Sequence, residues 1–117
     1  MPSTSEILNN LIRVEGVTAA VVIGRDGFVI DAAGGGGMDV EAIGAIISTG
    51  FGSSETMGKE LNIGRTGQVM AEFEDGILVS AAIGQDAILA VVTTSNTNLG
   101  NVRYQVKKYI RELESVL

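Results

Sequence analysis

The longest pattern of hydrophobic and polar positions runs from Met38 to Leu61 and has the period of a helix. Apolar residues recur there at spacings of three and four, which places them on one helix face. The members of this stripe are Val40, Ile43, Ile46, Ile47, Phe51, Met57 and Leu61. We expect the stripe to pack against the core of its own chain.

The same segment carries a row of small residues at four-residue intervals, formed by Gly44, Ser48 and Gly52. An interior glycine costs a helix about 1 kcal/mol relative to alanine, so packing must offset the loss. Small side chains also let another backbone approach closely. Two interpretations are open: the row contacts a partner chain, or it lets the helix lie flat on its own sheet.

Short runs on both sides of this helix predict five strands. Residues 17–23 and 87–94 are apolar on both faces, which is typical of central strands covered from both sides. Residues 28–33 and 77–83 are predicted as two further strands beside turns rich in Asp and Gly. Residues 68–73 alternate with one wetter face, so we expect this strand at an edge of the sheet.

A helix is predicted at each end of the chain. The first begins with a capping box at residues 3–6 and is expected to stop at Gly16. The last covers residues 98–117, and Arg103, Lys107 and Arg111 repeat every four residues along its polar side. Two interpretations are open for this row: a docking stripe for an acidic partner, or a solvated face favoured by the helix dipole.

The order of elements is helix, two strands, helix, three strands, helix. It predicts a single domain over residues 1–117 of the α/β (α+β sandwich) class. We expect a five-stranded, mostly antiparallel sheet with helices on both faces, because this arrangement buries every apolar stripe.

Composition narrows the classes of function. Apolar residues form 45% of the 117 residues, and the net charge of −6 argues against nucleic-acid binding. No run approaches the roughly 18 apolar residues of a membrane span, and no signal peptide is visible. We therefore expect a cytoplasmic protein without membrane insertion.

Catalytic chemistry has few candidate residues in this chain. There is no Cys and no His, which removes the commonest nucleophile–base pairs and transition-metal ligands. The four glycines at 34–37 are followed by no Lys until Lys59, so a flexible crossover is favoured over a phosphate-binding loop. We expect no enzymatic activity, no catalytic or metal-binding residues and no cofactor.

The order of these elements resembles the Roadblock/dynein light chain family, whose fold is profilin-like. The resemblance rests on the Gly16-Val17 entry to the first strand, the hairpins at 24–27 and 74–79, the glycine-containing second helix and the closing helix. It implies a dimer in which the second helices lie side by side and the third strands join into one sheet. The interface residues that it implies are Gly44, Ser48, Phe51, Gly52, Glu55, Gln68, Met70 and Glu72.

The resemblance also implies a function as a platform for small Ras-like GTPases. We expect a homodimeric scaffold that binds such a GTPase through the second-helix side and modulates its hydrolysis or localisation. Arg25 and Arg65 are the candidates if an arginine is inserted into the GTPase. Two alternatives are open: a profilin-like sensor of a small ligand, and an assembly adaptor that needs no GTPase. A heterodimer with a paralogue is also open.

Overall fold

The structure is a computed structural model that describes residues 2–117. Its elements follow the predicted order of helices and strands. They are α1 (Thr4–Leu11), β1 (Val17–Gly24), β2 (Val29–Gly34), α2 (Val40–Glu60), β3 (Gln68–Phe73), β4 (Gly76–Ile83), β5 (Ala87–Thr93) and α3 (Leu99–Val116). The strands form one sheet in the order β2-β1-β5-β4-β3. Each neighbouring pair is antiparallel, so the sheet is more uniform than the mostly antiparallel one predicted.

The placement of the strands confirms the prediction from their alternation. β1 and β5 are buried along almost their whole length and lie in the interior of the sheet, whereas the wetter β3 forms an edge. A strand that is apolar on both faces needs cover on both sides, and the inner positions of the sheet give it that cover.

Side-chain caps begin all three helices. The side chains of Ser3, Asp39 and Asn98 each accept a hydrogen bond from the backbone N–H three residues later, at 3.0–3.2 Å. These bonds satisfy donors that have no partner inside the helix. The first helix ends at Leu11, earlier than the predicted stop at Gly16.

Helices cover both faces of the sheet, as predicted. α1 and α3 pack on one face over the larger core cluster, which includes Leu8, Val79 and Leu113. α2 packs on the other face over a smaller cluster around Val21 and Ile23. The α2 side of the sheet is therefore less completely covered.

The structure corrects the predicted core stripe of α2. Phe51 is 2% exposed and Ile47 is half-buried, but Ile46, Met57 and Leu61 are 69%, 55% and 65% exposed. The buried residues of the helix are Gly44, Phe51 and Gly58, which recur every seven residues. Because two of these three are glycines, the helix backbone lies close to its neighbours and bulkier side chains project from its flank.

Candidate functional site

One flank of α2 is apolar and open to solvent. We call it the apolar flank of α2; helical periodicity aligns its members Ile43, Ile46, Gly50, Met57 and Leu61. Beside it, an open groove of about 350 Å³ runs between the helix and the sheet. The floor and far wall of the groove include Leu78, Ala90 and Phe73, all apolar. An apolar groove of this kind is rarely left uncovered in water, so the groove is a candidate binding surface.

The edge strand β3 borders the same region. It is paired only with β4, through partners such as Met70 and Val79. Its six residues contain no Pro, Lys or Arg, and Phe73 at its end is 61% exposed. Natural edge strands usually carry such residues to prevent pairing with another chain, so this edge is open to strand addition.

The opposite edge, β2, is different. Its register with β1 is interrupted by a bulge between Val22 and Ile23. The carboxylate of Asp31 also accepts a hydrogen bond from the Ala32 N–H at 2.8 Å, so a backbone amide of this strand already has a partner. A bulge is one of the devices that protect an edge, and the pairing of β3 with β4 has none. Of the two edges, β3 is the better suited to pairing.

The predicted small row of α2 lies away from the apolar flank. A Cβ at Gly44 would come within 2.5 Å of the Gly27 carbonyl oxygen and 2.9 Å of Val29 Cγ2. Ser48 Oγ lies 3.3 Å from the place of a Cβ at Gly27, so it faces the same hairpin. Packing on the chain's own hairpin therefore accounts for Gly44, which is the second of the two interpretations above. Gly52, by contrast, has nothing within 4 Å of its missing Cβ.

Gly50, which was not among the predicted interface residues, lies at the candidate surface. Nothing lies within 4 Å of its missing Cβ, and it sits between Ile46 and Met57 on the apolar flank. Its spacing of four residues from Ile46 and seven from Met57 is the feature of the sequence that places it on the same helix face as both.

Phe51 and Glu55, both predicted at an interface, contact Arg25 of their own chain. The guanidinium of Arg25 lies 5.3 Å from the centre of the Phe51 ring. It also donates to both carboxylate oxygens of Glu55, at 2.5 and 3.2 Å. A bidentate pair of this kind fixes the orientation of both side chains. Arg25 is thus held within its own chain, while Arg65 lies in the exposed segment before β3.

The predicted β3 residues Gln68, Met70 and Glu72 lie on the face of the sheet that carries α3. Gln68 and Arg103 exchange two hydrogen bonds, at 3.2 and 3.3 Å, which tie β3 to α3. Met70 and Glu72 are exposed. The alternate β3 residues, Val69, Ala71 and Phe73, face the α2 side, where Ala71 pairs with Leu78.

Arg103, Lys107 and Arg111 are all exposed on α3. The spacing of Lys108 and Glu112 permits an ion pair, but none forms; Lys108 Nζ instead lies 5.1 Å from the centre of the Tyr109 ring. Across residues 2–117, the Arg25–Glu55 contact is the one ion pair within 4.0 Å. The basic row of α3 therefore has no carboxylate partner in the described chain.

A comparison with protein-family models decides the family. The model described as "Roadblock/LC7 domain" matches residues 4–93. The chain belongs to the Roadblock/LC7 domain family. Two uncharacterized proteins of Methanocaldococcus jannaschii are each 33% identical to it over 110 residues, which cover 94% of this chain and 96% of theirs.

Solved structures show the same fold. The Roadblock/LC7 domain from Streptomyces avermitilis superposes with a TM-score of 0.89 at 20% identity, covering 97% of both chains. Myxococcus xanthus MglB gives 0.88 at 19% identity, covering 94% of this chain and 90% of that one. Profilin II from Acanthamoeba castellanii gives 0.71 at 21% identity, covering 97% and 98%. The predicted profilin-like Roadblock fold is thereby confirmed.

The other flank of α2 in this Roadblock/LC7 chain borders a wide concavity of about 1230 Å³. Arg25, Lys59 and Arg65 line it together with Glu55 and Glu114. Charges of both signs surround an open cleft, which is unlike the enclosed sites that bury most of a small ligand. Within residues 2–117, no three His, Cys, Asp or Glu side chains are grouped to hold a metal ion. Nor is any helix in that range long and apolar enough to cross a bilayer.

Proposed function

We propose that this protein is a non-catalytic homodimeric scaffold that binds a small Ras-like GTPase and modulates its hydrolysis of GTP or its localisation. The observation that carries the proposal is the apolar flank of α2 with its groove, lying beside the open β3 edge. Membership of the Roadblock/LC7 family adds support, because the resemblance described above implies platforms of this kind for Ras-like GTPases.

The proposed dimer pairs β3 with its own copy across a two-fold axis perpendicular to the sheet. Such an axis keeps each face of the sheet on its own side, so both α2 helices lie together on one face. This brings the two apolar flanks and the two grooves towards the axis. Each chain offers the same surface to the other, so the contact closes as a dimer and does not propagate into a chain.

Gly50 suits this arrangement because it has no bulk on the apolar flank. Ile46 and Met57, which lie on either side of it, are 69% and 55% exposed in the single chain. A helix from the partner could approach closely at Gly50 while these two side chains pack around it. Burying large apolar side chains contributes about 1.5–3 kcal/mol each, so a few such contacts drive association.

The GTPase is proposed to bind the paired α2 helices on the side away from the sheet. Arg25 is a poor candidate for insertion into the nucleotide site because Glu55 and Phe51 already hold its guanidinium. Modulation of hydrolysis by contact with the switch regions of the GTPase is more consistent with this geometry. Arg65, which is exposed, is the alternative donor.

The test is solution mass by light scattering, with and without a Ras-like GTPase from the same genome loaded with GTP or GDP. We expect a mass near twice 12.1 kDa that increases with the GTP-loaded partner. A monomer at micromolar concentration would contradict the proposed dimer. A dimer that ignores the GTPase in both nucleotide states would leave the assembly adaptor as the function.

A further inference from the structure

Helix α3 carries a concentration of positive charge. Four of the eight basic residues of the chain lie in α3, against two of its fourteen acidic residues. All four, Arg103, Lys107, Lys108 and Arg111, are exposed. The rest of this acidic chain therefore carries a larger negative charge than its total of −6 suggests.

Three of these residues form a row inclined to the helix axis, which we call the basic ridge: Arg103, Lys107 and Arg111. Successive members are four residues apart, which is about 6 Å along a helix that rises 1.5 Å per residue. None has a carboxylate within ion-pairing distance among residues 2–117. Arg103 is also fixed in position, since it donates from Nε to Gln68 Oε1 at 3.3 Å.

Tyr104 adds an aromatic surface next to the ridge. It is 65% exposed and lies three residues before Lys107 and seven before Arg111, so it projects beside both. Tyr and Arg are enriched at protein interfaces, where an aromatic side chain supplies apolar contact and a polar group at its end. Lys108 Nζ lies 5.1 Å from the centre of the neighbouring Tyr109 ring, so Lys108 adds positive charge beside the ridge.

We propose that the basic ridge of α3 docks an acidic segment of a partner protein, bound in an extended conformation. Alternate side chains of an extended segment lie on one face about 6.6 Å apart. This repeat matches the 6 Å step of the ridge, so three alternate carboxylates reach Arg103, Lys107 and Arg111 in turn.

Acidic groups close to the ridge favour a narrow partner over a membrane. Glu72 on β3 and Glu114 on α3 are exposed on the face of the sheet that carries α3. Helix α1 packs on the same face and exposes Glu6. A flat anionic membrane would come close to these carboxylates as well as to the basic side chains of the ridge, and the carboxylates would repel it. A single extended segment has a smaller footprint than a membrane, so fewer of these carboxylates face it.

The proposal is independent of the proposed function, because the ridge lies on one chain and on the opposite face of the sheet from α2. A partner on α3 and a GTPase on α2 therefore do not compete for the same surface. Loss of the dimer would leave the ridge intact.

The probe for this inference is a short fluorescein-labelled peptide of alternating Glu and Thr, with an alternating Lys and Thr peptide as its counterpart. Binding to the full chain is followed by fluorescence anisotropy at low and physiological salt. We expect saturable binding of the acidic peptide that weakens as salt rises, because exposed charges are screened.

The decisive variant is Lys107→Gln/Arg111→Gln, which leaves the Arg103–Gln68 contact in place. We expect its affinity to fall about fivefold, the effect of removing two exposed ion pairs. The matched control, Lys59→Gln/Arg65→Gln, removes the same charge from outside the basic ridge and should bind like the parent chain. Circular dichroism checks that both variants are folded.

Three results would overturn the proposal. The first is no saturable binding of the acidic peptide, and the second is an equal loss in both double variants, which would indicate general charge attraction. The third is binding to phosphatidylserine-rich vesicles, lost in Lys107→Gln/Arg111→Gln, without binding of the peptide. That result would assign the ridge to a membrane.

Discussion

Arg25 and Glu55 form a bidentate ion pair that joins the first hairpin to the C-terminal half of α2, thirty positions along the chain. The guanidinium lies over the Phe51 ring, so the pair has an apolar base on one side. Their side chains are 31% and 40% exposed, which makes the pair neither fully solvated nor buried. It fastens the helix that carries the proposed interface to the sheet.

Glu55→Gln should destabilise the protein by about 1–2 kcal/mol, between the values for exposed and for buried ion pairs. The reason is that Arg25 would keep its charge in a partly buried position without a carboxylate. Urea unfolding at fixed protein concentration measures the change. Glu60→Gln, on the exposed end of the same helix, is the control and should unfold like the parent. Equal stability of the Glu55 variant and the parent would show that the pair contributes nothing.

Gly44→Ala should destabilise the chain, although alanine is the better helix former. A Cβ at this position would lie 2.5 Å from the Gly27 carbonyl oxygen, so the helix or the hairpin must shift. Overpacking of this kind costs about 1–3 kcal/mol, more than the roughly 1 kcal/mol gained in helix propensity. Gly52→Ala is the matched change in open space and should stabilise. The same unfolding measurement compares the two, and a stable Gly44→Ala variant would contradict the close packing.

A comparison of two single variants, Gly50→Leu and Gly52→Leu, tests which flank of α2 contacts the partner. Both glycines have nothing within 4 Å of a missing Cβ, so a side chain can begin at either position without meeting the rest of the single chain. We expect Gly50→Leu to weaken the dimer about fivefold or more, because about 1–3 kcal/mol of overpacking falls within the proposed contact. Gly52→Leu, on the other flank, should leave the dissociation constant unchanged. Analytical ultracentrifugation measures both.

The reverse result would be equally informative. Loss of the dimer in Gly52→Leu alone would restore the small row as the interface and reject the apolar flank.

The sequence pattern was sufficient for the architecture but not for the orientation of α2. Apolar character on both faces of β1 and β5 placed them in the interior of the sheet, and the wetter face of β3 placed it at an edge. These assignments need only alternation along one strand. The apolar residues of α2, however, cover more of its circumference than the sheet can contact.

The choice of inward face therefore depends on where the first hairpin lies in three dimensions. Gly27 approaches α2 at Gly44, and this contact selects the line through Phe51 and Gly58. The Arg25–Glu55 pair and the Gln68–Arg103 contact join residues 30 and 35 positions apart. Local periodicity carries no information about such pairings, so these residues could not be assigned to contacts within the chain.

Met70→Pro tests whether β3 is the strand that pairs. The two-residue turn after Phe73 makes Phe73 and Gly76 a hydrogen-bonded pair, and bonded residues alternate along an antiparallel ladder. The N–H of Met70 therefore points away from β4 towards the open edge. Proline removes this donor and leaves the bonds to β4 in place, as expected for an edge position.

We expect Met70→Pro to be a folded monomer, with unchanged far-ultraviolet circular dichroism and a light-scattering mass of one chain. Met70→Ala keeps the N–H and should remain dimeric, which separates the loss of the donor from the loss of the side chain. A dimeric Met70→Pro variant would mean that the chains associate through α2 without joining their sheets. The open edge of β3 would then be free in the dimer and would need another explanation for its lack of protection.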